Sequence, residues 1–139
     1  MSLRLRAQAL QAIRAAAEAG YPHEVCGILL GRGGDSPEAE EAHPCDNVVS
    51  ERSHDRYELD PKAQLRIEKG ARERGLDVVG YFHSHPDHPA LASETDNALS
   101  WERTVYLIQS VRQGRCDELR AWARGSGQPR LQPLDIESA

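Results

Sequence analysis

The chain has 139 residues, 28% of them charged and 39% hydrophobic, with a formal net charge of −5. That is one domain with material for a core; the acidic balance argues against a nucleic-acid binder, and no apolar run approaches the ~20 residues that span a bilayer. Residues 1–14 scatter Arg4, Arg6 and Arg14 among apolar positions, without the unbroken apolar stretch of a secretory signal, so a cytoplasmic protein with no membrane partner is expected.

Leu5, Ala9, Ile13 and Ala16 recur at helical spacing and predict an amphipathic helix over 3–19, ended by Gly20 and Pro22. Residues 25–31 read as a central strand, and 32–38, with Gly33, Gly34 and Pro37, as a loop. A second strand is expected over 39–49, interrupted near Pro44, and a weak one over 55–59. Asp60 caps a helix over about 61–74, with Pro61 at its first position and Gly75 just past its end. A buried strand over 77–82 runs into His83-Ser84-His85; residues 86–92 form a loop, and Ser93 opens a short helix. Residues 104–111 and 116–124 form a hairpin around Arg112-Gln113-Gly114-Arg115. The tail over 125–139, rich in Gly and Pro, is either mobile or holds one short strand near 131–136. Helices and strands alternate early and strands dominate late, which predicts a single α/β domain with a mixed, mostly antiparallel sheet flanked by helices.

Cys26, Cys45 and Cys116 are odd in number and far apart, so neither a disulfide framework nor a four-cysteine zinc site is expected. His83 and His85 differ. On an extended backbone residues two apart point the same way, so both imidazoles project to one side. Asp96, eleven positions after His85 at a helix start, supplies a third ligand. Three protein ligands leave a fourth position for water, the mark of a catalytic zinc. Ser93-Glu94-Thr95-Asp96 also has a plainer reading as a capping box, which does not exclude these residues from a site beside the cap.

Several neighbouring patterns fail. His83 to His88 fits H-x-H-x-D-H of the metallo-β-lactamase superfamily, but no histidine follows His88, so Asp87 and His88 are not expected to bind metal. The deaminase pattern H-x-E with P-C-x-x-C is absent, and so is H-E-x-x-H.

What remains is H-S-H-P-x6-S-x2-D with an upstream acid, and this resembles the JAMM signature of the MPN-plus metalloproteases. Residues 22–31, with Glu24, resemble that family's first strand; Asn47 and then Tyr57 to Pro61 resemble the stretch before its second helix. The resemblance covers roughly 3–124, which sets a catalytic domain over 1–124 apart from a tail over 125–139. It implies an MPN-like domain with cytidine-deaminase-like layering. It further implies one Zn2+ per chain held by His83, His85 and Asp96, with Glu24 as general acid/base and Ser93 positioning water or stabilising the oxyanion. Ser84 is expected to give a supporting hydrogen bond, and Cys26 to be a packed thiol near the pocket floor. Ala92 stands where the family commonly has proline. Without long insertions the chain is similar to the compact bacterial branch, the Mec-type peptidases. These trim a residue from beyond the Gly-Gly tail of a ubiquitin-like sulfur carrier. Such a tail is expected to lie along a sheet edge beside the metal. Because the family often pairs, the resemblance also carries a homodimer. Two other readings stand beside it: a zinc hydrolase of small peptides or modified amino acids, and a catalytically silent MPN scaffold.

Overall fold

The computed structural model describes residues 2–48 and 57–139. Seven strands form one hydrogen-bonded ring: β1 (Ser2–Leu5), β2 (Cys26–Arg32), β3 (Glu38–Cys45), β4 (Asp77–Pro86), β5 (Val105–Arg112), β6 (Arg115–Ala123) and β7 (Gln132–Ser138), in the order β1-β3-β2-β4-β5-β6-β7. Three helices accompany it: α1 (Ala7–Gly20), α2 (Pro61–Glu73) and α3 (Glu94–Leu99). The sheet is mixed. β2 runs antiparallel to β3 and β4, β5 to β6 and β6 to β7, while β4–β5, β1–β3 and β1–β7 are parallel. No helix among the described residues is long and apolar enough to cross a membrane.

The first element departs from the sequence expectation of a helix over 3–19. Residues 2–5 form a strand, because Leu3 and Leu5 alternate into the core while Arg4 faces out, a period of two that a helix cannot satisfy. Its partners, β3 and β7, come from remote parts of the chain. The helix starts at Ala7 and buries Ala9, Ile13 and Ala17 at four-residue spacing; Ala16 is only partly covered. The tail over 125–139 holds β7, which pairs with both β6 and β1 and so closes the ring. The weak strand expected over 55–59 falls partly outside the described residues; within them, Leu59 bridges Asn47.

Local chemistry explains the other boundaries. Asp60 accepts the Lys62 N–H at 3.2 Å and Pro61 follows at a position that needs no donor, which starts α2; Gly75, at φ 72°, ends it in the left-handed region. The β5–β6 turn places Gln113 and Gly114 at φ 50° and 84°, as a two-residue hairpin with a right-handed twist requires. Pro44 is tolerated inside β3 because β1 pairs with that strand only at Glu38 and Ala39.

Alternation along β2 and β4 divides the interior. Leu29 and Phe82 face the α1 core with Ile13, Leu107 and Leu3; Ile28, Leu30 and Tyr81 face α2 through Ala71 and Ile67. Full burial of each large apolar side chain is worth roughly 1.5–3 kcal/mol. Arg74 clamps Glu41 of β3 with two 2.8 Å bonds, and with His43 beside it holds that carboxyl down to about 2. The register carries the histidines with it. Phe82 and Ser84 point to the α1 side, so His83 and His85 must emerge on the opposite face.

Candidate metal centre

β4 holds its histidines between two paired neighbours: His83 lies opposite Cys26 of β2 and Ile108 of β5, and His85 opposite Ser110. Glu24, just ahead of β2, is only 5% exposed. Ligand atoms of Glu24, His83 and His85 all lie within 4.8 Å of one another, which makes these three a candidate metal site. Asp96, on the first turn of α3, approaches the same histidines: Oδ1 lies 3.1 Å from His83 Nε2 and Oδ2 lies 3.5 Å from His85 Nε2. The structure thus brings Glu24, His83, His85 and Asp96 together from three separate elements.

A metal fits the donor atoms. His83 is fully buried, and among the described residues neither of its ring nitrogens has a hydrogen-bond partner; Asp96 Oδ1 is near but not aligned for one. Buried polar atoms left this way are costly, and coordination would satisfy Nε2, the ring nitrogen that faces Asp96. Two donors held tetrahedrally at 2.0–2.1 Å from one zinc stand roughly 3.4 Å apart, close to both imidazole–carboxylate distances. His85 Nδ1 lies 2.8 Å from the Pro89 carbonyl. A carbonyl only accepts, so Nδ1 carries the proton and Nε2 is left as a lone-pair donor.

The capping box is formed, and it also aims the carboxylate. Ser93 Oγ accepts the Asp96 N–H at 3.0 Å, and the Ser93 N–H donates to Asp96 Oδ2 at 2.8 Å, which leaves Oδ1 toward His83. Burial pushes the Asp96 carboxyl up, but the two imidazoles and the Ser93 N–H outweigh it and hold the group far below the ordinary range. Burial pulls His83 down despite Asp96. His85 is raised: burial opposes this, and Asp96 and the Pro89 carbonyl overcome it.

Tyr57 lies over His83 with ring centroids 4.4 Å apart and planes inclined by 23°. Its burial keeps the phenol neutral well above the usual range. The sequence reading named Tyr57 in its motif but gave it no role; the signal was an aromatic residue just ahead of a capped helix start. Cys26 is buried, its Sγ 3.7 Å from the Cys45 carbonyl, and burial together with Cys45 pushes the thiol up to about 12. Its sulfur is not among the donor atoms that gather at the site, and the thiol packs between β2 and β3. Ser84 Oγ accepts the Val25 N–H at 2.9 Å, a supporting bond beside Glu24.

Asp87 points elsewhere. Its carboxylate accepts the Tyr21 hydroxyl at 2.5 Å and the Gln113 N–H at 2.9 Å, tying the end of β4 to the β5–β6 turn and to the end of α1. Asp87→Ala is expected to lower the Tm by several degrees and to leave one zinc per chain, as read by thermal unfolding and metal analysis. A second zinc in the wild type, lost in the variant, would instead make the site binuclear.

A cleft of about 370 Å³ opens onto the site, lined by Glu24, Tyr57, His85, Ser93, Asp96 and Tyr106 among others. Leu91 and Leu99 stand at it, 49% and 63% exposed. β4 is paired with β5 as far as Pro86 on one side, and on the other with β2 only as far as His83, one further bond joining the Ser84 N–H to the Val25 carbonyl.

Two histidines and a carboxylate gathered beside an open cleft, with a further buried carboxylate next to them, are the donor set of the class of metal-dependent hydrolases. The family model of prokaryotic homologues of the JAB domain matches residues 6–125, and the chain belongs to that family. It is 42% identical over 90 residues to the desampylase of Haloferax volcanii, a match over 64% of this chain and just under two thirds, 63%, of that protein. With the CysO-cysteine peptidase of Mycobacterium tuberculosis it shares 32% identity over 134 residues, 95% of this chain and 89% of the relative. A probable TtuB-protein conjugate cleaving protease of Thermus thermophilus is 33% identical over 107 residues, 77% of this chain and 66% of the relative. Among solved structures, a Desulfitobacterium hafniense protein superposes with a TM-score of 0.84 at 28% identity, covering 99% of this chain and 92% of that one. A JAB1/MPN domain protein of Archaeoglobus fulgidus, at 20% identity and a TM-score of 0.55, covers 98% of this chain and 97% of its own and shares the fold. The chain is thus a homologue of JAMM-type peptidases, built as a single JAB/MPN-like domain.

Proposed function

We propose that this protein is a zinc metallopeptidase. It hydrolyses a peptide or isopeptide bond at the C-terminal Gly-Gly tail of a ubiquitin-like, sulfur-carrier protein. The observation that carries the reading is the approach of Asp96 to both histidines, at 3.1 and 3.5 Å, beside a buried Glu24 in an open cleft. His83 Nε2, His85 Nε2 and the Asp96 carboxylate would hold the metal. Zinc bound there polarises the scissile carbonyl and lowers the pKa of a coordinated water to ~7. Glu24 takes the proton from the attacking water and returns it to the leaving amine. The Ser93 oxygen accepts the Asp96 N–H, which leaves its own O–H free to turn toward the developing oxyanion.

The substrate class draws support from the relatives, which are by name a desampylase, a peptidase and a conjugate-cleaving protease. The cleft adds to this. Its volume of about 370 Å³ has room for a thin glycine tail, and the exposed Leu91 and Leu99 offer apolar surface to a larger body. The test is the intact mass of a sulfur-carrier protein extended by one residue past Gly-Gly, incubated with zinc-loaded protein. Loss of the extension is the expected result. An unchanged mass, with zinc confirmed in the protein, would move the substrate to small peptides or the protein to a binding role.

A further inference from the structure

Glu24 lies ahead of the first residue of β2, so the strand ladder does not hold it. Its backbone is held by side chains. Asn47 Nδ2 donates to the Glu24 carbonyl at 3.0 Å, and Asn47 Oδ1 accepts the Glu58 N–H at 2.9 Å. The carbonyl can only accept and the N–H can only donate, so these partners admit one orientation of the amide. The two bonds reach different limbs of the site: Glu24 itself, and the residue after Tyr57, whose ring lies on His83. Around Asn47 the chain is cross-tied, by Val48 N–H to the Glu58 carbonyl at 2.9 Å and by Asp60 N–H to the Asp46 carbonyl at 3.0 Å. On the other side of Glu24, Val25 is bound both ways by Ser84, which sits between the two histidines. Ser84 Oγ accepts the Val25 N–H at 2.9 Å, and the Ser84 N–H donates to the Val25 carbonyl at 3.0 Å.

We propose that Asn47 is a positioning residue that holds Glu24 and Tyr57 in one fixed arrangement about His83. This rests on Glu24 being the acid/base. An amide has both the donor and the acceptor the two limbs require; aspartate has no donor and alanine has neither. Proton transfer demands close geometry, and a displacement near 1 Å can cost about 100-fold in rate.

The experiment compares wild type, Asn47→Asp, Asn47→Ala and Glu24→Gln as zinc-loaded full chains on the extended carrier, and follows amide hydrogen exchange in parallel. Both Asn47 variants are expected to lose roughly 10–100-fold in kcat, with KM and zinc content unchanged. In Asn47→Ala, exchange should rise together at residues 24–25 and 57–60. In Asn47→Asp, which keeps the acceptor, it should rise at 24–25 alone. Wild-type kcat in both variants overturns the proposal while leaving the peptidase reading intact. Exchange that rises evenly along the chain, or at neither segment, overturns it as well. If nothing cleaves the carrier but the segmental exchange pattern appears, the clamp stands and the peptidase reading falls.

Discussion

Glu24→Gln stops turnover and leaves one zinc per chain. Glutamine keeps the shape and hydrogen-bonding length of glutamate and removes its capacity to take a proton. Glu24 is buried at the cleft, with ligand atoms of both histidines within 4.8 Å, so a water between them and the carboxylate is within its reach. Positioned acid/base groups contribute typically 10²–10⁴-fold, and here one group serves both proton steps, so the upper end, a loss of about 10⁴-fold, is expected. The same proximity gives the experiment its second edge, since Glu24 stands near enough to ligate. Cleavage measured by mass and zinc measured on the same purified sample separate the roles. Lost activity with zinc retained makes Glu24 the acid/base; lost activity with lost zinc makes it a ligand.

Asp96→Asn empties the centre. The Asp96 carboxylate is the anionic member of the proposed ligand set, and against the opposing effect of burial the two imidazoles and the Ser93 N–H favour its ionised form. Asparagine can still accept the Ser93 N–H and so keep that half of the capping box, but it brings a weaker neutral oxygen to the metal. Loss of a partner that merely supports a ligand costs typically 10–100-fold in metal affinity, and loss of a ligand should cost at least that. Asp96→Ala adds to the metal defect the loss of the reciprocal half of the capping box, the Ser93 N–H bond to Asp96 Oδ2, while Ser93 still caps the backbone N–H of residue 96. The pair therefore divides the residue's two jobs. Both variants lose zinc in a competition titration, and only alanine also lowers the Tm of the metal-free protein. Full zinc occupancy in Asp96→Asn would remove Asp96 from the ligand set.

Local patterns carried far in this chain. Asp60-Pro61 and Gly75 marked α2 because caps and left-handed positions are satisfied within a few residues. Gln113-Gly114 marked the hairpin for the same reason. The His-x-His spacing told which two side chains share a face, since strand alternation is a property of the backbone itself. Residues 3–5 fall inside the expected helix because Leu5 continues the four-residue spacing of Ala9 and Ile13, and the segment becomes a strand because β3 and β7, from remote parts of the chain, take up its hydrogen bonds.

By itself, then, the sequence determined the helices and the central strands, that the two histidines share one face, the serine–aspartate cap and the family signature that joins them, each being local or a matter of spacing. Tertiary structure alone decided that β7 closes the ring and that the histidine strand lies between β2 and β5. It also decided that Glu24 and Asp96, seventy-two residues apart, flank one pair of imidazoles. Only packing could place Tyr57 on His83 and Asn47 behind Glu24. Contacts between remote segments leave no period in the chain, because they are set by how layers pack, long after local hydrogen bonding is satisfied.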